Sequence, residues 1–337
     1  MFFKGNQKKI YLLCDTKNWA LDFQAKELKK MLARDFKCKI GYVRESPDLS
    51  RENFDLLFVL FWGETYHKKF NIPHYKIIKQ LSSHRWENEE LYGFLTPRQT
   101  NQIHLKDADF VTGMSLKLVE RFKGERDVIH LPQSVNTNLF KIKKKREGPM
   151  VIGWVGNEND PCKGLFDILI PSTTNRFIFR KAGGKLTQKE LVDFYNSIDI
   201  ICNASTAEGG PLPVAEAMAC GCFPVCVEVG IIPQIISNRE NGIIVERSIE
   251  AFQKAFEWCE KNLETVRKIG LDNRRLIVQQ RSSNALREYT RKVFNDIYHQ
   301  SVQPRFRNDD VSYDTNLEEL RNLTKYLLIM DLNSYMV

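Results

Sequence analysis

The chain has 337 residues, of which 42% are hydrophobic and 11% aromatic, and it carries a net charge of +8. That length exceeds what one core usually organises, so two domains are expected. No apolar run approaches the roughly 18 residues of a membrane span. The first residues lack the apolar centre of a secretory leader, so a cytoplasmic location is expected, with peripheral attachment to the inner membrane face as its variant. Eight cysteines with no Cys-x-x-Cys spacing point to buried, reduced thiols; the Cys220, Cys222 and Cys226 group has no nearby histidine to make zinc plausible.

The front half alternates short apolar runs with amphipathic stretches. Strands are predicted at 10–14, 39–43, 54–61, 76–81, 110–113 and 128–131, and helices at 20–34 and 115–122. In the first helix Leu21, Ala25, Leu28, Met31 and Leu32 share a face. Continuous apolar strands between helices indicate a parallel sheet covered on both faces. Residues 1–138 hold 23 basic and 17 acidic side chains, a balance that suits an anionic partner.

Residues 139–150, with five basic side chains between 141 and 146, are too polar for a core and read as a linker. The alternation then restarts at 151, with further strands predicted at 177–179, 198–202, 223–227 and 242–245. After the strand at 198–202 comes Glu208-Gly-Gly-Pro-Leu-Pro-Val-Ala-Glu216, leading into a helix. Glycines let backbone amides approach an anion, and a helix start adds about half a positive charge. Carboxylates repel phosphate but accept hydrogen bonds from hydroxyls. The implied ligand carries both groups, as a nucleotide sugar does.

This stretch resembles the E-x7-E signature of retaining glycosyltransferases of family 4, which have the GT-B fold. Pro132 to Phe140 resembles that family's interdomain segment, and Ile152 to Asn157 with Lys163-Gly164 resembles the opening of its donor domain. The resemblance implies two Rossmann-like, doubly wound parallel-sheet domains facing a cleft, with C-terminal helices crossing back to the first domain. The boundaries expected are an acceptor-side domain at 1–138, the linker at 139–150, a donor domain at 151–282, and C-terminal helices at 283–337. A helical pattern recurs in the last part at Leu317, Leu320, Leu323 and Leu327.

The resemblance also implies roles. Glu216 accepts hydrogen bonds from the donor ribose, and Glu208 contacts the donor sugar near the transferring carbon. Gly209, Gly210 and Leu212 present amides to the diphosphate, and Lys163 neutralises it as it leaves. Gly156 and Asn157 close the first donor-domain strand. The family has an arginine at the Asn157 position, a departure that Arg180 or Lys181 could offset. His84, at a strand end, would touch the donor sugar. The family's glycine-rich loop after the first strand is absent; Asn18 and Trp19 stand there as acceptor-side candidates.

No metal or other cofactor is expected, because the one Asp-x-Asp, Asp107 to Asp109, falls in a turn before a strand. There is no dinucleotide or Walker fingerprint. The partners expected are a nucleotide sugar and an anionic acceptor. A lipid-linked or polymeric glycan at a membrane surface comes first; DNA with hydroxylated bases is the alternative, and a non-catalytic GT-B binding module a third reading. The lysines Lys68, Lys69, Lys76 and Lys79, with Arg85, form the basic group behind that expectation.

Overall fold

The computed structural model describes residues 7–144, 146–184 and 186–303, excepting the side chains of residues 91, 92 and 175. The chain divides into two compact units. One comprises residues up to Pro132 together with those from Arg287 onward; the other is Gln133–Leu286.

The first unit is built on six parallel strands: β1 (Lys8–Cys14), β2 (Phe36–Tyr42), β3 (Leu56–Val59), β4 (Ile77–Leu81), β5 (Phe110–Gly113) and β6 (Ile129–His130). Their order is β2-β1-β3-β4-β5-β6. The inner strands β3, β4 and β5 are buried throughout, as near-continuous apolar runs should be. Strand β2 begins earlier than predicted. It lies at the sheet edge, where Lys37 and Lys39 alternate with buried Phe36 and Cys38 and interrupt the apolar signal. Helix α1 (Ala20–Leu32) packs Ala25, Leu28, Met31 and Leu32 into this core.

Asp107 does not face solvent as a metal ligand would. Its carboxylate meets buried His67 Nε2 at 2.6 Å, Lys79 Nζ at 3.1 Å and Lys68 Nζ at 3.6 Å. Burial opposes its ionisation, but the His67 and Lys79 contacts hold the carboxyl well below the usual range. Lys79 is 0% exposed, and burial lowers its ammonium to about 8. It therefore drops out of the predicted basic surface group: it is a core ion, and its Nζ also donates to the His104 carbonyl at 2.6 Å.

The second unit has five parallel strands: β7 (Val151–Gly156), β8 (Ile178–Gly183), β9 (Ile200–Asn203), β10 (Phe223–Val227) and β11 (Ile243–Val245). Their order is β11-β10-β9-β7-β8. Its longer helices are α2 (Gln188–Tyr195), α3 (Leu212–Ala219), α4 (Ile249–Lys261) and α5 (Leu263–Arg281). Strand β8 runs beyond its predicted end because it is an edge strand, and its exposed Arg180 and Lys181 read as loop.

Helix α6 (Ser283–Val302) carries the chain back to the first sheet. The Phe294 ring packs edge-on against Phe58 and Phe36, at 5.5 and 6.4 Å between centroids. Arg291 forks onto Asp35 at 2.6 and 3.0 Å, and Tyr289 donates to the His130 carbonyl at 2.7 Å. Residues 304–337, including the predicted Leu317 to Leu327 pattern, lie outside the described residues. Among the described residues no helix is long and apolar enough to cross a membrane.

The 139–150 segment is not the solvated linker its composition predicts. Phe140 is buried with its ring 5.9 Å from that of Tyr195. Arg146 donates to the carbonyls of Ile198, Gly221, Cys220 and Tyr195 at 2.5, 2.8, 2.8 and 3.1 Å. Two of those carbonyls lie just past the end of α3, where helix acceptors lack intrahelical partners. The guanidinium thus caps the helix that carries Glu216, and the segment belongs to the second unit.

Replacing Arg146 with Ala should lower the unfolding free energy by about 2–3 kcal/mol, since it strands several acceptors. Arg146→Lys should recover little, because an ammonium lacks the planar fork. Urea titration measures both, and a change below about 0.5 kcal/mol would restore the linker reading.

Candidate functional site

In the second sheet the chain steps from β7 outward to β8, then returns to β9 on the other side of β7. Loops leaving the carboxyl ends of β7 and β9 therefore turn away from each other and leave a crevice, the usual ligand position in such sheets. Lys163 is on the first of these loops and Glu208 on the second. Lys163 Nζ and Glu208 Oε1 stand 2.5 Å apart, both side chains mostly buried.

Local chemistry fixes the Lys163 loop. Asp160 caps the Cys162 amide at 3.1 Å, and the Cys162 carbonyl accepts from Thr206 N at 2.9 Å, tying this loop to the one that follows β9. Gly164 has φ +68°, and a Cβ there would sit 2.6 Å from the Ala204 carbonyl oxygen, so only glycine fits. Cys162 is the one cysteine of eight that is not buried. The other seven are buried free thiols, the Cys220, Cys222 and Cys226 group included.

The Glu208 loop reaches α3 through a tight turn. Pro211 has φ −69° and ψ 76°, an inverse γ-turn, and Leu212 N donates to the Gly210 carbonyl at 2.7 Å. This corrects the expectation that Leu212 offers its amide to a ligand: that hydrogen is already used. Gly209 is buried, its carbonyl packed against Gly230, whereas Gly210 is half-buried and faces Gln133. Among the described residues neither Gly209 N nor Gly210 N donates to a protein acceptor.

One turn into α3, Glu216 is 7% exposed and accepts a hydrogen bond from Tyr195 OH at 3.0 Å. Burial pushes its carboxyl up to about 8, against the pull of the Tyr195 hydroxyl. Tyr195, wholly buried at the end of α2, is itself pushed far up by burial and by Glu216. Tyr195 went unmarked in the sequence, although it is the last residue of a helix opened by a Thr187–Glu190 capping box.

Other predicted residues separate from this pair. Arg180 lies in mid-strand opposite Gly153, three residues short of the sheet's carboxyl edge. It donates to the Ser197 carbonyl at 3.3 Å, before β9 begins, so it points to the opposite end of the sheet and cannot offset the Asn157 departure. Asn157 folds onto its own loop, its Oδ1 accepting from Asn159 N at 3.1 Å. Gly156 ends β7 directly opposite Gly183 of β8.

His84, Asn18 and Trp19 are on the first unit. His84 follows β4, its ring centroid 6.5 Å from that of Trp86. Asn18 has φ +63° and donates its amide to Asp22 Oδ2 at 2.7 Å, an arrangement that starts α1. Trp19 follows it, 53% exposed.

Residues 180–295 match the family described as glycosyl transferases group 1. No curated protein matches the chain. Among solved structures, sucrose-phosphate synthase from Thermosynechococcus elongatus superposes with a TM-score of 0.70 at 12% identity, over 87% of this chain and 99% of that one. HepE of Anabaena, solved with UDP and glucose, gives 0.66 at 13% identity, over 86% and 100%. TarM of S. aureus, solved with fondaparinux, α-GlcNAc-glycerol and UDP, gives 0.59 at 15% identity, over 74% and 57%. The fold is thus GT-B, two Rossmann-like parallel-sheet units, and the match to group 1 glycosyl transferases falls mainly on the second.

Glu216 sets a pH dependence whose sign follows from its raised carboxyl. From the ordinary 4.5 up to about 8, the folded chain keeps a proton that the unfolded chain has released. Its contribution to stability is complete below that window and is lost as pH rises through it. Thermal melts from about pH 5 to about pH 9 should show the wild type losing more stability than Glu216→Gln. Parallel curves would mean that the carboxyl is ionised throughout.

Proposed function

We propose that this chain is a retaining, metal-independent glycosyltransferase that moves a sugar from a nucleotide-diphosphate sugar to an acceptor hydroxyl. The observation that carries this reading is the meeting of Lys163 and Glu208 at the switch point of the second sheet, with Glu216 buried one turn into the adjoining helix. In it, Glu216 accepts hydrogen bonds from the ribose hydroxyls, and the Gly209–Gly210 turn lies against the diphosphate. Glu208 turns from Lys163 to the donor sugar, freeing the ammonium for the leaving phosphate.

The bond from the anomeric carbon to the diphosphate oxygen breaks as the acceptor oxygen bonds to that carbon on the same face. The acceptor's proton passes to the departing phosphate oxygen, so no protein nucleophile is required. The protein contributes positioning and charge stabilisation at the leaving group.

The acceptor favoured is a lipid-linked or polymeric glycan. Support comes from the oligosaccharide bound to TarM and from surface cations on the first unit, Lys68, Lys69 and Lys76, which suit an anionic chain. With Lys79 buried, that group is smaller than the sequence suggests, which weakens the DNA alternative, since duplex binding draws on many phosphate contacts. Asn18 and Trp19 remain the acceptor-side candidates, and His84 the candidate contact for the donor sugar.

Incubation with a panel of nucleotide sugars, following release of nucleoside diphosphate, tests the reading. Turnover should survive EDTA; loss with EDTA and recovery with manganese would remove metal independence. Lys163→Ala should cut kcat by about 10²–10³ while changing donor affinity far less, because charge grows on the leaving group during the reaction. Equal losses in both would assign Lys163 to ground-state binding.

A further inference from the structure

Among the described residues, three cations at the carboxyl end of the second sheet, Lys163, Lys181 and Arg247, each already meet a carboxylate, Arg247 meeting Asp167 at 2.6 Å. Lys163 pairs with Glu208, and Lys181 of β8 pairs with Glu158 in the loop after β7. Asp160 adds a fourth carboxylate, occupied with the Cys162 amide. Three cations against four carboxylates is a poor resting place for a diphosphate, which brings more negative charge still. On the donor reading above, these ion pairs must therefore exchange partners when the ligand binds.

The placement of Lys181 suits it to exchange. Gly156 and Gly183 face each other across β7 and β8, and a Cβ at Gly183 would sit 2.5 Å from Glu158 Oε1. The Glu158 carboxylate thus lies against bare backbone at the carboxyl edge of the sheet. Lys181 is two residues before Gly183, on the same face of the strand, and its side chain reaches up to that edge. Its ammonium lies 5.8 Å from the ring centroid of Phe166, a residue three positions after Lys163 and 60% exposed. Both partners are solvent-accessible, at 42% and 33%, so their mutual attraction is of the weak surface kind. The Asn157 side chain meanwhile is turned back on its own loop.

We propose that Lys181 is a second cation for the donor's diphosphate, supplying the charge absent at Asn157, and that Glu158 is the carboxylate that holds Lys181 until the diphosphate replaces it. The ligand class is a nucleoside diphosphate or its sugar ester. Glu158 then acts as an internal competitor: it lowers affinity, and it spares the empty site an unmatched positive charge.

Titration calorimetry of the full-length protein with UDP, ADP and GDP, without added metal, tests this. For whichever of the three binds most tightly, Lys181→Ala should weaken binding roughly tenfold, the loss of one charge-assisted contact. Glu158→Gln should tighten it by roughly two- to fivefold, the equivalent of an exposed ion pair. In the double variant the Glu158 effect should disappear, because no cation is left to sequester. The proposal is overturned if Lys181→Ala has no effect, or if Glu158→Gln weakens binding as much as Lys181→Ala does, which would make the pair a loop brace. Glu216→Ala separates this from the donor reading itself. If none of the three nucleotides binds the wild type, or if Glu216→Ala binds as well as the wild type, the donor site is misassigned and the Lys181 proposal falls with it.

Discussion

The site depends on one topological constraint: β7 lies between β8 and β9, so its two neighbours are reached by connections that leave in opposite directions. Parallel strands need crossovers, and crossovers of one hand can share a strand's carboxyl end only by parting there. The parting leaves backbone and side chains of two loops facing a gap with no helix above it. Lys163 and Glu208 meet because each is on one of those loops, and each loop is pinned by glycine, proline or a side-chain cap rather than by core packing. The first sheet has the same strand order around β1, so the loop with Asn18 and Trp19 holds the equivalent place there.

Much of this was legible in the sequence because buried strands and glycine-rich turns leave dense local signals. The inner strands, the Glu208 to Glu216 stretch and Lys163 could all be read from their immediate neighbours. What could not be read depends on partners distant in sequence. Arg146 looks like part of a basic linker until its four carbonyl acceptors, 49 to 75 residues away, are in place. Lys79 looks like surface charge until Asp107 folds against it. Arg180 and Lys181 are adjacent, yet period-two alternation on an edge strand sends them to different faces and different ends of the sheet. The Leu212 amide was lost to a turn whose geometry Pro211 imposes and a motif does not record.

Two acids largely shielded from solvent are handled in opposite ways. Asp107 is surrounded by cationic groups and stays ionised, so its charge holds the first unit together. Among the described residues Glu216 has a phenol for company and no ion pair, so burial favours its neutral form. A carboxyl held this way is primed for donors that arrive from outside, such as vicinal hydroxyls, whose hydrogen bonds favour the charged form. The Arg146 clamp at the far end of the same short helix keeps that carboxyl at a fixed height.

Helix α6 has a further consequence. The first unit is made of two pieces of chain, and the later piece supplies Phe294, Arg291 and Tyr289 to the sheet begun at Lys8. The second unit, by contrast, is one uninterrupted segment. On the ribosome the sheet that emerges first must wait for α6, with the surfaces around Phe36 and Phe58 uncovered, while the later unit can close on itself. Synthesis order and completion order are thus reversed, and a nascent chain halted anywhere before α6 would present an apolar face to chaperones.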